Sequence, residues 1–158
     1  NLLGPLANPA GVRRQLVGVF SPAWVEPLAQ AFAQLGSDRA MVVHGDGYDE
    51  LAVSGDSGFV LAADGTVTTG QISAADAGVG RHDAAALAGG DAAHNAARLR
   101  ALLHGETGAY HDIVVLNAAA ALTIADANLP LRIAADRARA ALASGAALDT
   151  LDRWSAFQ

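Results

Sequence analysis

The chain has 158 residues, enough for one ordinary domain with its own core, and 52% hydrophobic against 16% charged content excludes disorder. A net charge of −6 and a pI near 5.1 argue against a general nucleic-acid surface, which needs a basic patch. Zero cysteines exclude disulfides and thiolate chemistry, and no apolar run is long enough to span a bilayer.

In chain order, residues 1–11 hold two prolines and two glycines among apolar residues, which predicts an ordered, non-helical loop. Gln15-Leu16-Val17-Gly18-Val19-Phe20 reads as a buried strand. Ser21-Pro22 is a helix start, with serine as N-cap and proline at the first helical position. Val25, Leu28, Ala29, Phe32 and Leu35 then recur at helical spacing up to Gly36, and Arg39 to Val43 reads as the next strand. Strand, helix and strand make a βαβ unit.

Beyond Glu50, three stretches are short, strand-like and separated by Gly/Asp turns: Leu51–Ser54, Gly58–Leu61 and Val67–Ile72. They predict antiparallel hairpins at the sheet's edge, most clearly around Ala63-Asp64-Gly65-Thr66. Ser73-Ala74-Ala75-Asp76 has the form of a capping box. From Asp83 onward the pattern is helical. One helix is expected from near Asp91 to Gly105 and a nearly all-apolar, central one from about His111 to Leu122. The last runs from Pro130 to about Trp154 with a break at Ser144-Gly145. No repeat or linker divides the chain, so residues 1–158 read as a single domain.

The segment His44-Gly45-Asp46-Gly47-Tyr48-Asp49-Glu50 carries the most chemistry. It follows the apolar run Ala40–Val43 and ends in the only adjacent pair of acids in the sequence. A strand end, a glycine turn and two carboxylates form an arrangement that α/β proteins use to hold a ligand or metal at a sheet edge. Adjacent side chains diverge in a strand but can converge in a turn, and Mg²⁺ suits one or two carboxylates plus phosphate oxygens. A solvated turn with two surface acids fits the same residues. His44 reads as a base, a metal ligand or a partly buried strand-end histidine. Gly89-Gly90-Asp91 resembles a phosphate-cradling turn, yet Asp91 at an N-cap would repel phosphate. Asn117, set amid Leu116 and four alanines, needs hydrogen-bond partners and is expected to lock a neighbouring loop.

Five motifs in this order resemble the anthranilate phosphoribosyltransferase family across essentially the whole chain. They are Asn1-Leu2-Leu3-Gly4-Pro5-Leu6-Ala7-Asn8-Pro9-Ala10, Gln15–Val19, Val42–Glu50, Gly89-Gly90-Asp91-Ala92-Ala93-His94-Asn95-Ala96 and Leu116-Asn117-Ala118-Ala119. The resemblance implies an α/β fold with a mixed central sheet flanked by helices. It implies transfer of the 5-phosphoribosyl group of phosphoribosyl pyrophosphate (PRPP) to anthranilate, in tryptophan biosynthesis, with release of pyrophosphate. Asp49 and Glu50 match the family's magnesium-holding acids, where Mg²⁺ lowers the barrier to pyrophosphate departure. Gly4 and Pro5 match a loop lining the anthranilate site. A cytoplasmic enzyme, homodimeric at full length, with no nucleic-acid or membrane partner, is the corresponding expectation.

The family's glycine-rich phosphate loop, its Lys-His-Gly-Asn segment, its carboxylate-orienting arginine and its amino-terminal helical domain have no counterpart in these residues. The chain opens without methionine, so the expectation is a partial α/β domain from a longer polypeptide, inactive alone. Two alternatives stand beside this reading: a non-catalytic relative that binds nucleic acid or protein, and a relative of pyrimidine nucleoside phosphorylase.

Overall fold

A computed structural model describes residues 2–157, so Asn1, the first residue of the opening motif, lies outside the described residues. Four strands form one mixed sheet in the order β1-β2-β3-β4: β1 (Arg14–Gly18), β2 (Arg39–Gly45), β3 (Ser57–Ala63) and β4 (Thr66–Ile72). β1 and β2 are parallel, with Arg14 opposite Arg39 and Gly18 opposite Val43, while β3 and β4 follow as antiparallel neighbours. The α/β class and the mixed sheet with flanking helices are therefore as expected.

Alternation along the strands splits the core into two. Ala40, Val42, Val60 and Ala62 face helix α2 (Val25–Gln34) and pack with Val25, Leu28, Ala29 and Phe32. Met41 and Val43 face the opposite layer, where they pack with Val115, Leu116, Ala119 and Ala120 of α4 (Ala109–Ala125) and with Ala134 and Ala135 of α5 (Leu131–Ala143). Because β2 is covered on both faces, it shows four buried apolar residues in succession instead of an alternating pattern. α4 is likewise buried over most of its circumference, which explains its nearly unbroken apolar sequence.

Most expected boundaries stand. Ser21 accepts a hydrogen bond from the Ala23 amide at 3.4 Å, although the capped turn is 3₁₀ before α2 begins. Asp64 and Gly65 take positive φ at the β3–β4 turn, as a tight hairpin demands. Ser73 and Asp76 form the capping box, and hydrogen bonds from the Ser73 backbone and hydroxyl hold the Asp76 carboxyl below the usual range. α3 (Ala92–Leu103) starts at Asp91, whose carboxylate accepts the His94 amide at 2.8 Å. α5 and α6 (Ala146–Ser155) break at Ser144-Gly145.

Four expectations need correction. The strand expected to be buried over Gln15–Phe20 runs Arg14–Gly18 at the edge of the sheet, where its residues are partly buried or exposed, and Phe20 beyond it is 63% exposed. Residues 3–6 form a short helix, α1 (Leu3–Leu6), within the segment expected to be non-helical. Pro5 is tolerated there because first-turn amides have no intrahelical partner, and Leu2 and Leu6 gain contact with the α2-side core. Leu35 continues the helical spacing but lies beyond the end of α2 and is 65% exposed. Leu51–Ser54 is not a strand. Its residues Leu51, Ala52 and Val53 are fully buried, but their hydrogen bonds run to side chains and loops.

Leu28, inside α2, and Leu35, just beyond it, should behave differently. Leu28→Ala is expected to destabilise by about 2–5 kcal/mol, and Leu35→Ala by about 0.5 kcal/mol or less, in urea denaturation. Equal losses would contradict the assignment of Leu35 to solvent.

Candidate functional site

The site lies where the parallel strands end. Asp46 and Gly47 take positive φ in a tight turn, closed by the Tyr48 amide to the Gly45 carbonyl at 2.7 Å and the Gly45 amide to the Tyr48 carbonyl at 3.1 Å. Aspartate tolerates the left-handed region better than most residues, and here its carboxylate also accepts the Ser54 hydroxyl at 2.5 Å. The Tyr48 hydroxyl donates to the Ala84 carbonyl at 3.3 Å. The turn sends the chain back across the ends of β1 and β2, with Asp49 and Glu50 both exposed on the crossing segment.

Two glycines make that crossing possible. A Cβ on Gly18 would stand 1.4 Å from the Asp49 carbonyl oxygen. A Cβ on Gly45 would meet the Ser57 hydroxyl at 2.3 Å and the Glu50 carbonyl oxygen and Ala52 nitrogen at 2.7 Å each. Bare backbone at the ends of both strands lets the acidic segment lie directly on the sheet.

Side chains then hold the segment down. The Asn117 amide accepts from Leu51 N–H at 2.9 Å and donates to Leu51 C=O at 2.8 Å. It also donates to the Ile113 carbonyl of its own helix at 3.0 Å. Ser57, fully buried, accepts the Ala52 amide at 2.8 Å, and the His82 amide donates to the Val53 carbonyl at 3.0 Å. The expectation that Asn117 locks a loop is met, and the loop is the one that carries the acids.

Electrostatically the pair is uncomfortable. Desolvation, and after it the charge of Asp49, pushes the Glu50 carboxyl above its usual range. Because Glu50 is exposed, this is a rim and not a cavity. Two like charges on a fixed backbone favour a cation. No group of three or more His, Cys, Asp or Glu side chains placed to hold a metal occurs among the described residues. Two carboxylates without a third protein ligand fit Mg²⁺, which keeps several waters and completes its shell with phosphate oxygens.

The other sequence candidates separate from this pair. His44 is partly buried, and its Nδ1 lies 2.8 Å from the Val19 carbonyl, a strand-end contact. The Gly89-Gly90 turn is occupied from within: Asn95 accepts from Gly90 N–H at 2.9 Å and donates to Gly90 C=O at 3.0 Å, while Asp91 caps His94. Gly4 and Pro5 stand on α1, where Pro5 lines a cleft of about 250 Å³ with Val12, Arg13 and Leu35, and neither acid belongs to that cleft.

One cluster is invisible to residue-by-residue reading. Asp112 accepts from His82 Nε2 at 2.7 Å, from His111 Nδ1 at 2.9 Å and from the Gly80 amide at 3.0 Å. Burial works against its ionisation more than any other single influence. The three hydrogen bonds together outweigh burial and hold its carboxyl below the usual range. His82 is 30 residues from Asp112 in sequence, and nothing local announces the pairing.

Residues 1–148 match the family model for the glycosyl transferase family, a/b domain. The chain belongs to this family. It is 54% identical over 154 residues to an anthranilate phosphoribosyltransferase of Azorhizobium caulinodans, covering 97% of this chain and 45% of that protein. The crystal structure of anthranilate phosphoribosyltransferase from Thermus thermophilus superimposes with a TM-score of 0.89 at 41% identity, covering 99% of this chain and 46% of that one. A Saccharomyces cerevisiae anthranilate phosphoribosyltransferase in complex with PRPP and Mg shares the fold, with a TM-score of 0.85 at 24% identity over 95% of this chain and 44% of that one. The chain thus spans about half the length of the relatives it matches. No described helix is long and apolar enough to cross a membrane.

Two outcomes follow from the site geometry. Gly18→Ala should destabilise the fold by about 2 kcal/mol or more, since backbone and not a flexible side chain must give way; an unchanged urea midpoint would contradict the close crossing. Glu50 carries a raised folded-state pKa, so its contribution to stability falls as pH rises through the carboxylate range, and the deficit persists at neutral pH. Glu50→Gln in metal-free solution should therefore raise the melting temperature more at pH 7 than at pH 4, and a larger gain at pH 4 would refute the assigned cost of the ionised carboxylate.

Proposed function

We propose that these residues contribute the metal-binding side of an anthranilate phosphoribosyltransferase active site. The observation that carries the reading is the Asp49–Glu50 pair, fixed across the C-terminal ends of β1 and β2 and left without a third protein ligand among the described residues. Crevices at the carboxyl ends of parallel strands are where open α/β sheets bind ligands. The proposed substrates are PRPP and anthranilate and the proposed ion is Mg²⁺; PRPP and Mg occur together in one complex of the Saccharomyces cerevisiae protein, and 4-fluoroanthranilate occurs in another. When bound, the ion neutralises charge that develops on a departing pyrophosphate.

The protein's own part is positional. Asp49 and Glu50 supply two oxygen donors on a segment held by close approaches at Gly18 and Gly45 and by the Asn117 hydrogen bonds, which lowers the ordering cost of engaging an ion. Gly4, whose missing Cβ would meet nothing within 4 Å, and Pro5 are proposed to form an apolar wall for the anthranilate ring. Phosphate-cradling amides and the arginine for the anthranilate carboxylate are proposed to come from outside these 158 residues, because the relatives are about twice as long. A homodimer and a cytoplasmic location belong to the same proposal. The 54% identical relative and the 41% identical crystal structure favour this reading over a nucleoside phosphorylase or a non-catalytic binding module.

The test is phosphoribosyl transfer by the full polypeptide that carries these residues. Asp49→Asn and Glu50→Gln are each expected to lower kcat/KM by about 10²-fold or more and to raise the Mg²⁺ concentration for half-maximal rate. The KM for anthranilate should change little. Wild-type rates in both variants at limiting Mg²⁺ would overturn the proposal.

A further inference from the structure

We propose that Asn117 is the positioning residue for the Asp49–Glu50 pair, and that it sets the pair's affinity for a divalent cation by fixing the backbone of Glu50. The inference rests on the magnesium reading above. Asn117 belongs to α4, 66 residues from Leu51 in sequence, and carries no charge. Its effect on the acids therefore passes through geometry.

A side chain's direction is set by the two peptide planes that flank its Cα. For Glu50, the first plane carries the Asp49 carbonyl, which lies over Gly18 where even a Cβ could not fit. The second joins the Glu50 carbonyl to the Leu51 N–H. Its carbonyl end lies against Gly45, and its N–H end is held by Asn117 at 2.9 Å. Asn117 then grips the next plane through the Leu51 carbonyl at 2.8 Å. Leu51 is fully buried, so water is not at hand to replace either bond. Two of these three restraints are passive close approaches. Asn117 supplies the one hydrogen bond among them, while burial of Leu51 and the Ser57 bond to Ala52 act one and two residues further along.

The amide is matched to this task. The side-chain amide offers an acceptor and a donor, the complement of the N–H and C=O that the single residue Leu51 presents. Aspartate at 117 would face the Leu51 carbonyl with a second acceptor, and serine could satisfy only one of the two groups. The adjacent charges of Asp49 and Glu50 repel, so an unrestrained segment would splay them. Groups that orient metal ligands typically change metal affinity by about 10–100-fold when removed.

The experiment is Mn²⁺ titration, read by the electron paramagnetic resonance of free Mn²⁺, on the full polypeptide that carries these residues. Asn117→Ala is expected to weaken binding about tenfold. Ile124→Ala, which removes a buried side chain near the far end of the same helix, serves as the destabilised control and should change binding less than about twofold. Should Asn117→Ala fail to fold, Asn117→Ser takes its place, with at least about threefold weakening expected. Unchanged affinity in the folded Asn117 variant, or equal weakening in the Ile124 control, overturns the inference. The doubly substituted Asp49→Asn, Glu50→Gln protein separates the two layers of argument: if it still binds Mn²⁺ normally, the magnesium reading itself has failed. If it does not, the Asn117 result stands alone.

Discussion

The grip of one asparagine on one leucine's backbone organises this structure. Leu51, Ala52 and Val53 are buried as deeply as any strand in the sheet, yet none of the described strands pairs with them. A buried peptide group without a partner costs about 1–3 kcal/mol, so three such residues are tenable only where other groups supply the missing bonds. Asn117 supplies both sides of Leu51, Ser57 supplies Ala52, and the His82 amide supplies the Val53 carbonyl. The segment is thereby tied to α4, β3 and the 80–82 loop at once. Remove these ties and the acidic turn becomes an ordinary surface loop.

Two carboxylates on either side of this tie are treated in opposite ways. Asp112, beside His82, His111 and the Gly80 amide, has its charge satisfied within the fold and its carboxyl held below the usual range despite partial burial. It adds stability above the ordinary carboxylate range, and that contribution is lost on acidification through its lowered value. Glu50 is the reverse: desolvation and Asp49 push its carboxyl up, so its ionised form is a liability that the surrounding packing sustains. A fold that resolves one part-buried acid so completely and leaves an exposed pair in conflict concentrates its frustration at one place, as functional sites commonly do.

Much of this was readable from the residues. The helix start at Ser21-Pro22, the Asp64-Gly65 hairpin, the Ser73–Asp76 box and the break at Gly145 are local signals with local causes, and all appear in the structure. Asn117 was legible as a locking residue because an amide in an alanine-rich helix must find partners. The errors share a cause. Leu51–Val53 looks like a strand because burial, not pairing, selects apolar residues, and Leu35 continues a helical spacing after the helix has stopped. The role of Gly18 was hidden because the atom it makes room for, the Asp49 carbonyl, lies 31 residues away in sequence and leaves no mark on it. The His82–Asp112–His111 cluster was hidden for the same reason.

The geometry also bears on which ion and which partner the proposed site would favour. A closed cation cage draws its ligands from several elements and binds without help. Here one segment offers two adjacent acids on an open rim, with the backbone fixed and only side-chain torsions free. Such a pair binds a small, strongly hydrated cation weakly on its own, because most of the coordination shell must remain water. Affinity rises when an anion brings its own oxygens to the same ion. On the proposed reading, ion and pyrophosphate-bearing substrate therefore support each other's binding, and the protein's investment lies in holding Asp49 and Glu50 where that shared ion must sit.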